Sequence, residues 1–263
     1  MPAGAVDADA PSTLGRMTTD GMTTVSPRDV LVRMVASDPG RPRLTWYDDL
    51  PGPTEGERIE LSARVLANWV SKAANLLQDD AAAGPGTTVG LDLPAHWRSL
   101  YWALATWSVG ATVVVGDAAA GADVLVTDSP AAAAGHGGDA VLVALPALAR
   151  SHPEAGDAPG AVDEARELST HGDLFSPMSD AEPDDVALAA GGVDTAYGAL
   201  VVAVADWGAS PRVALAGGLE EVLRQALAAW AADGSIVLVR GGRGDLAERL
   251  AAEGVSVDAR ENA

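Results

Sequence analysis

Apolar and polar residues alternate along the chain in two recurring periods, and the two periods take turns. Spacings of three and four place Val65, Leu66, Trp69, Val70, Ala73, Leu76 and Leu77 on one face of a helix that begins after Ser62. A second helix is expected over residues 95–108, carrying Trp97, Tyr101, Leu104 and Trp107. A short one follows Ser26-Pro27, because Ser is a good N-cap and Pro suits the first helical position. Short apolar runs at 44–47, 58–61, 89–93, 112–115, 124–127 and 141–145 read as strands, the first two as a hairpin with a loose tip at 51–56. Residues 131–138 form a soft Ala- and Gly-rich stretch, and 151–185 an acidic, Pro-punctuated linker. The alternation then resumes, with strands expected at 186–189, 212–216, 235–239 and 255–257 and helices at 195–207, 219–231 and 245–253.

Strands alternating with helices predict an α/β fold, a doubly wound, mostly parallel sheet with helices on both faces. The expected organisation is a disordered leader over 1–25, a single domain over 26–258 and a tail over 259–263. Within the domain, sub-regions 26–150 and 186–258 are joined by the linker 151–185.

Composition narrows the function classes. Hydrophobic residues make up 48% of 263 positions but aromatics only 4%, so the core is built from Ala, Val and Leu. A net charge of -20 repels phosphate backbones and anionic lipid heads, which argues against nucleic-acid and membrane partners. The absence of Cys removes disulfides, thiolate nucleophiles and Cys metal sites. No apolar run approaches the ~20 residues that span a bilayer, and the first residues lack a basic-then-apolar signal pattern. The simplest expectation is a cytoplasmic protein.

The order of segments resembles the N-terminal part of adenylate-forming (AMP-binding) enzymes, the acyl-CoA synthetases and adenylation domains. Residues 58–77 (RIELSARVLANWVSKAANLL) resemble the family's opening strand and helix. The stretches 86–93 (GTTVGLDL), 94–107, 108–117 (SVGATVVVGD) and 122–128 (ADVLVTD) follow in the family's order. Residues 235–257 (SIVLVRGGRGDLAERLAAEGVSV) resemble a later strand-helix-strand unit. The resemblance implies a sheet-helix sandwich like the family's large N-terminal domain.

It also implies a Ser/Thr/Gly-rich phosphate loop ending in Lys, just after the strand that leaves the linker. Here that position reads Ala190-Gly191-Gly192-Val193-Asp194-Thr195. Two glycines and one Thr remain, and Asp194 has the wrong sign for a phosphate neighbour. Lys72 is the chain's single Lys and belongs to the first long helix. The family's later loop, ribose-binding Asp and mobile C-terminal domain would lie beyond residue 263. These departures predict a non-catalytic relative, with a structural, regulatory or ligand-sensing role and no catalytic residues. Gly191, Gly192 and Thr195 would line a remnant cleft, binding a small acyl- or nucleotide-like ligand or facing a protein partner. No cofactor is expected, and ATP or AMP binding is unsupported.

The alternative is a nucleotide-using or adenylate-forming enzyme with a rewired or partner-completed site. Its residues would come from loops at strand ends, where Asp194, Thr195, Arg240 and Arg243 are the reactive or anion-binding groups. A further nucleotide pattern, G-x-G-x-x-A at 242–247 with Gly242 and Gly244, follows a strand and opens a helix. The plainer reading there is a Gly-rich turn with Asp245 as N-cap. No G-x-S-x-G occurs. His96, His136, His152 and His171 lack metal-ligand spacing, so no metal site is expected, and the last three read as solvated loop residues. Most of the seven Trp read as core, but Trp102 falls off the main stripe and points to an exposed patch or partner surface. A third, plainer alternative is an oligomerisation module whose partner surface lies on the first two helices.

Overall fold

The computed structural model describes residues 25–242 and 244–260. All but the last residue of the expected leader, and residues 261–263 of the tail, lie outside the described residues.

Helix α1 (Pro27–Ser37) starts in a capping box: the Ser26 hydroxyl accepts from the Asp29 N–H while the Asp29 carboxylate accepts from the Ser26 N–H. Strands β1 (Pro42–Asp48) and β2 (Arg58–Ser62) form the expected antiparallel hairpin. Ser62 caps α2 (Ala63–Asp79) by accepting from the Val65 N–H. Next come β3 (Thr88–Asp92), α3 (Trp97–Ser108), β4 (Thr112–Val115) and β5 (Val124–Thr127). The Ala-rich stretch read as soft is helix α4 (Pro130–Gly135), because Ser129 caps it and Pro130 presets its first turn. It leads to β6 (Asp139–Leu142).

Segment 151–185 is more structured than a linker. It supplies β7 (Val162–Asp163), which extends the sheet beyond β6, and α5 (Glu164–Glu167), with Glu164 and Leu168 buried. Beyond it, β8 (Val186–Ala190) turns back into β9 (Val193–Ala196). A helix over 195–207 does not form. Residues 195 and 196 belong to β9, α6 (Tyr197–Leu200) is a single turn, and a short 3-10 turn covers Ala205–Trp207. The β-branched Val201, Val202 and Val204 favour extended backbone over a third helical turn. The chain closes with β10 (Arg212–Leu215), α7 (Leu219–Ala231), β11 (Ser235–Arg240), α8 (Leu246–Ala252) and β12 (Val257–Asp258).

The fold is α/β with mostly parallel strands, divided between two sheets. One has the order β12-β10-β11-β1-β2 and the other β7-β6-β5-β3-β4-β8-β9. Among the described residues, only the edge pairs β1–β2 and β8–β9 are antiparallel. Each sheet draws strands from before and after segment 151–185, so the two expected sub-regions interleave.

Helix α3 packs on β3 and β4 of one sheet, on β1 of the other, and on α1, α2 and α7. Enclosed this way, it is buried over its whole length. Trp102, which its stripe had placed outside, is 0% exposed. It marks no open patch, because a helix between two sheets has no solvent face. The close approach of layers also dictates Gly90 on β3: a Cβ there would lie 2.1 Å from the Ala119 carbonyl oxygen.

Candidate functional site

Parallel strands of the two sheets end around one cleft. In the seven-stranded sheet, β3 ends in Asp92, β4 runs into Gly116-Asp117 and β8 into Gly191. With Glu220 they border a cavity of about 550 Å3. In the other sheet, β10 runs into Ala216-Gly217-Gly218 and β11 into Arg240-Gly241. These border an adjoining, mainly apolar cavity of about 400 Å3 with Leu50, Pro94 and Ala95. Leu93, Gly218 and Leu219 line both, so the first turn of α7 separates the two halves. Another cavity, about 660 Å3, lies elsewhere, between the end of α2 at Asp80 and segment 155–171.

The cleft is acidic on one side. Asp92 accepts from the Thr127 hydroxyl at 2.8 Å. Burial, with Asp92 adding to it, pushes Asp128 above the usual carboxylate range. Glu220 stands in the first turn of α7, where it offsets the helix's own positive end, and pairs with Arg224 at 3.1 Å. The larger half contributes Asp92, Asp117 and Glu220 and no basic side chain to its lining. Arg240 lines the apolar half but is held by buried Asp48, 3.1 Å from its carboxylate. Asp48 also accepts from the Thr54 hydroxyl at 2.5 Å and the Leu50 N–H at 3.0 Å.

His96 follows the apolar half's Ala95 and serves as N-cap of α3, its Nδ1 accepting from the Arg98 N–H at 3.2 Å. Burial, then the charges of Arg98 and Arg240, push its pKa down to about 2. The imidazole is therefore neutral and carries its hydrogen on Nε2. Its ring meets Trp46 edge-on, with centroids 4.2 Å apart.

The residues singled out in the sequence fall as follows. Gly191 and Gly192 are the two central residues of a tight hairpin turn: Ala190 and Val193 pair directly, and both glycines have positive φ (55° and 78°). This is the primed turn that right-twisted hairpins favour, and it needs glycine-like backbones. The position where the resemblance implies a phosphate loop is thus a two-residue turn. Thr195 pairs with Leu188 in the β8–β9 ladder, and its hydroxyl accepts from Arg224 at 3.0 Å. Asp194 sits exposed in β9. Lys72 lies far along the sequence from these turns, bound to Asp173 at 2.9 Å and to the carbonyls of Ser169 and His171.

Gly242 and Gly244 precede α8, whose N-cap Asp245 accepts from the Glu248 N–H, so a carboxylate occupies the place a pyrophosphate would need. Arg243 lies outside the described residues. His152 is buried, correcting its reading as a solvated loop residue: segment 151–185 folds over it, and its N–H donates to Asp163. Among the described residues, no three His, Cys, Asp or Glu side chains converge as metal ligands. No helix there is long and apolar enough to cross a membrane.

Asp92, Asp117, Leu219 and Glu220 were not singled out from the sequence. Each stands at or just past a strand's carboxyl end, which was the available signal, but only the sheet order shows that these ends converge.

No family model matches the chain. Over 160 residues it is 37% identical to a TIGR03089 family protein of Mycobacterium tuberculosis, covering 59% of this chain and 63% of that protein. Among solved structures, it is similar to the Brucella canis acyl-CoA synthetase, with TM-score 0.69 and 17% identity over 89% of this chain and 47% of that one. It is similar to the Klebsiella oxytoca NpsA N-terminal subdomain in complex with 3-hydroxybenzoyl-AMSN, with TM-score 0.63 and 16% identity over 89% of this chain and 59% of that one. The Mycobacterium tuberculosis fatty acyl CoA synthetase gives TM-score 0.63 and 14% identity, over 89% and 48%. The chain spans less than two thirds of each of these proteins. It has the fold of the N-terminal part of adenylate-forming (AMP-binding) enzymes, as found in adenylation domains and acyl-CoA synthetases.

Proposed function

We propose that this chain is a non-catalytic relative of adenylate-forming N-terminal domains, a ligand-sensing module that holds an acyl-like group and not the triphosphate of ATP. The observation that carries this reading is the two-residue turn Gly191-Gly192. A phosphate cradle needs several successive backbone N–H groups, hydroxyls and a cation around the anion. A primed two-residue turn offers only the amides of its tip. Asp194 stands beside it, and Asp92, Asp117 and Glu220 line the cavity that Gly191 borders. Carboxylates lining the cavity oppose a polyphosphate.

The apolar half of the cleft retains a different capacity. Leu50, Leu93, Pro94, Leu219 and Val239 enclose space on the scale of a short acyl chain or a small ring. Burial of such a group would be driven by the hydrophobic effect, at roughly 25 cal/mol per Å2 of apolar surface. The acyl-adenylate-like compound bound by the NpsA subdomain gives the probe chemistry.

Isothermal titration of the full chain against ATP with Mg2+, AMP and an acyl sulfamoyl-adenosine tests the reading. Heat is expected from the acyl compound and from neither ATP nor AMP. Ala216→Trp, which fills the apolar half, is expected to abolish that heat. Tight ATP binding, or adenylate formation from ATP and a carboxylic acid, would overturn the proposal.

A further inference from the structure

The cavity of about 660 Å3 beside Asp80 is a separate place in the fold. Among the described residues, none that lines it also lines either half of the cleft. Its volume is that of a small-molecule site. Its lining carries both signs of charge, with Arg166 and His171 facing Asp80, Asp163 and Glu167.

Two of these groups are left open. Asp163 is only 8% exposed, yet its two oxygens share a single donor, the His152 N–H, 3.1 Å from each. An ionised carboxylate accepts at about four sites, and a buried one ordinarily faces a cation. Turned to His152, Asp163 makes no cap bond to its own helix α5. Arg166 follows one helical turn later on the same cavity wall, with its side chain exposed. Among the described residues, neither Asp163 nor Arg166 has an ion-pair partner. Across the cavity, Asp80 already meets His171 Nε2 at 3.4 Å. Between the charges, Ala158, Ala161 and Val162 give an apolar wall of small side chains.

This arrangement sorts ligands by charge. A simple anion would face three carboxylates, and a simple cation would leave the Arg166 guanidinium open. A molecule with both charges close together answers both groups. We infer that this cavity binds a small zwitterion, an aliphatic amino acid whose ammonium meets Asp163 and whose carboxylate takes Arg166. Its side chain lies against Ala158, Ala161 and Val162, where burial of apolar surface favours it. The site is independent of the cleft and of the function proposed for it.

The probe is L-valine, titrated into the full chain and followed by amide NMR shifts. Saturable shifts are expected over residues 156–171. Two analogues each lack one charge: valine methyl ester has no carboxylate, and 3-methylbutanoate has no ammonium. Each should bind at least about tenfold more weakly, as one charge-assisted contact is lost. Arg166→Ala, at an exposed position, should weaken valine by a similar factor and leave the ester unchanged. Asp163→Asn, which keeps an oxygen for the His152 N–H, should weaken valine and leave 3-methylbutanoate unchanged. Four results would overturn the inference: no saturable shift, equal binding of valine and both analogues, an Arg166→Ala loss as large for the ester as for valine, or shifts confined to residues 216–220 of the cleft.

Discussion

The Arg98 guanidinium and the Glu164 carboxylate meet in the protein interior, with Nη1 3.1 Å from both carboxylate oxygens and neither side chain more than 4% exposed. Tyr101 donates its hydroxyl to the same carboxylate. Arg98 completes its donors on the carbonyls of Leu145 and Pro146 and stacks on Trp97. This network ties segment 151–185 to the central helix α3. Breaking it by Glu164→Ala strands a buried cation, and the expected loss is about 3 kcal/mol in urea unfolding.

Burial raises the Glu164 pKa to about 7 from 4.5, against the lowering effect of Arg98. The folded chain therefore holds a proton that the unfolded chain releases over that interval. The resulting stabilisation is complete below pH 4.5 and is lost as the pH rises through about 7. Urea midpoints should fall across this window in the natural chain. In Glu164→Gln they should fall less steeply, and an unchanged slope would show that another group dominates.

The Gly191-Gly192 turn makes a backbone prediction. Replacing Gly192 (φ 78°) with Val forces a β-branched residue into the left-handed region and is expected to cost about 1–3 kcal/mol. Gly192→Asn should cost much less, because Asn tolerates that region. Equal thermal midpoints for the two variants would contradict the turn.

Gly90→Ala is expected to be among the most damaging single-methyl changes. The new Cβ would overlap the Ala119 carbonyl oxygen, backbone that moves only with the whole 3-10 turn Asp117–Gly121. An overpacking cost of about 1–3 kcal/mol, read as a lowered urea midpoint, is the expected result.

Lys72→Ala should leave ligand binding in the cleft unaltered. Its partner Asp173 is 60% exposed, so the global cost should stay within about 1 kcal/mol. Hydrogen exchange near residues 169–173 should accelerate, because Lys72 holds the Ser169 and His171 carbonyls there.

Local periodicity and caps made most elements legible. Ser26 and Ser62, which residue type marks as caps, are caps, the β1–β2 hairpin forms, and strands at 112–115 and 124–127 stand where the apolar runs put them. Errors gathered where local signals were weak or were outvoted. Residues 195–207 have helix-compatible spacing, yet the pairing of Val193–Ala196 with β8 and the valine run after Leu200 broke it. Trp102 is buried because neighbours distant in sequence enclose α3 on every side, and His152 because segment 151–185 is folded rather than a solvated linker.

The sequence by itself determined the α/β class, the missing cation after β8 and the commitment of the chain's one Lys to a helix, since each depends on local residue type. Tertiary structure decided the rest. It divided the strands between two sheets, enclosed α3, turned Gly191-Gly192 into a hairpin tip and brought Asp92, Asp117 and Glu220 to one cleft. The physical reason is that parallel pairing joins strands through long crossovers, so which carboxyl ends become neighbours follows from packing between layers and not from any local pattern.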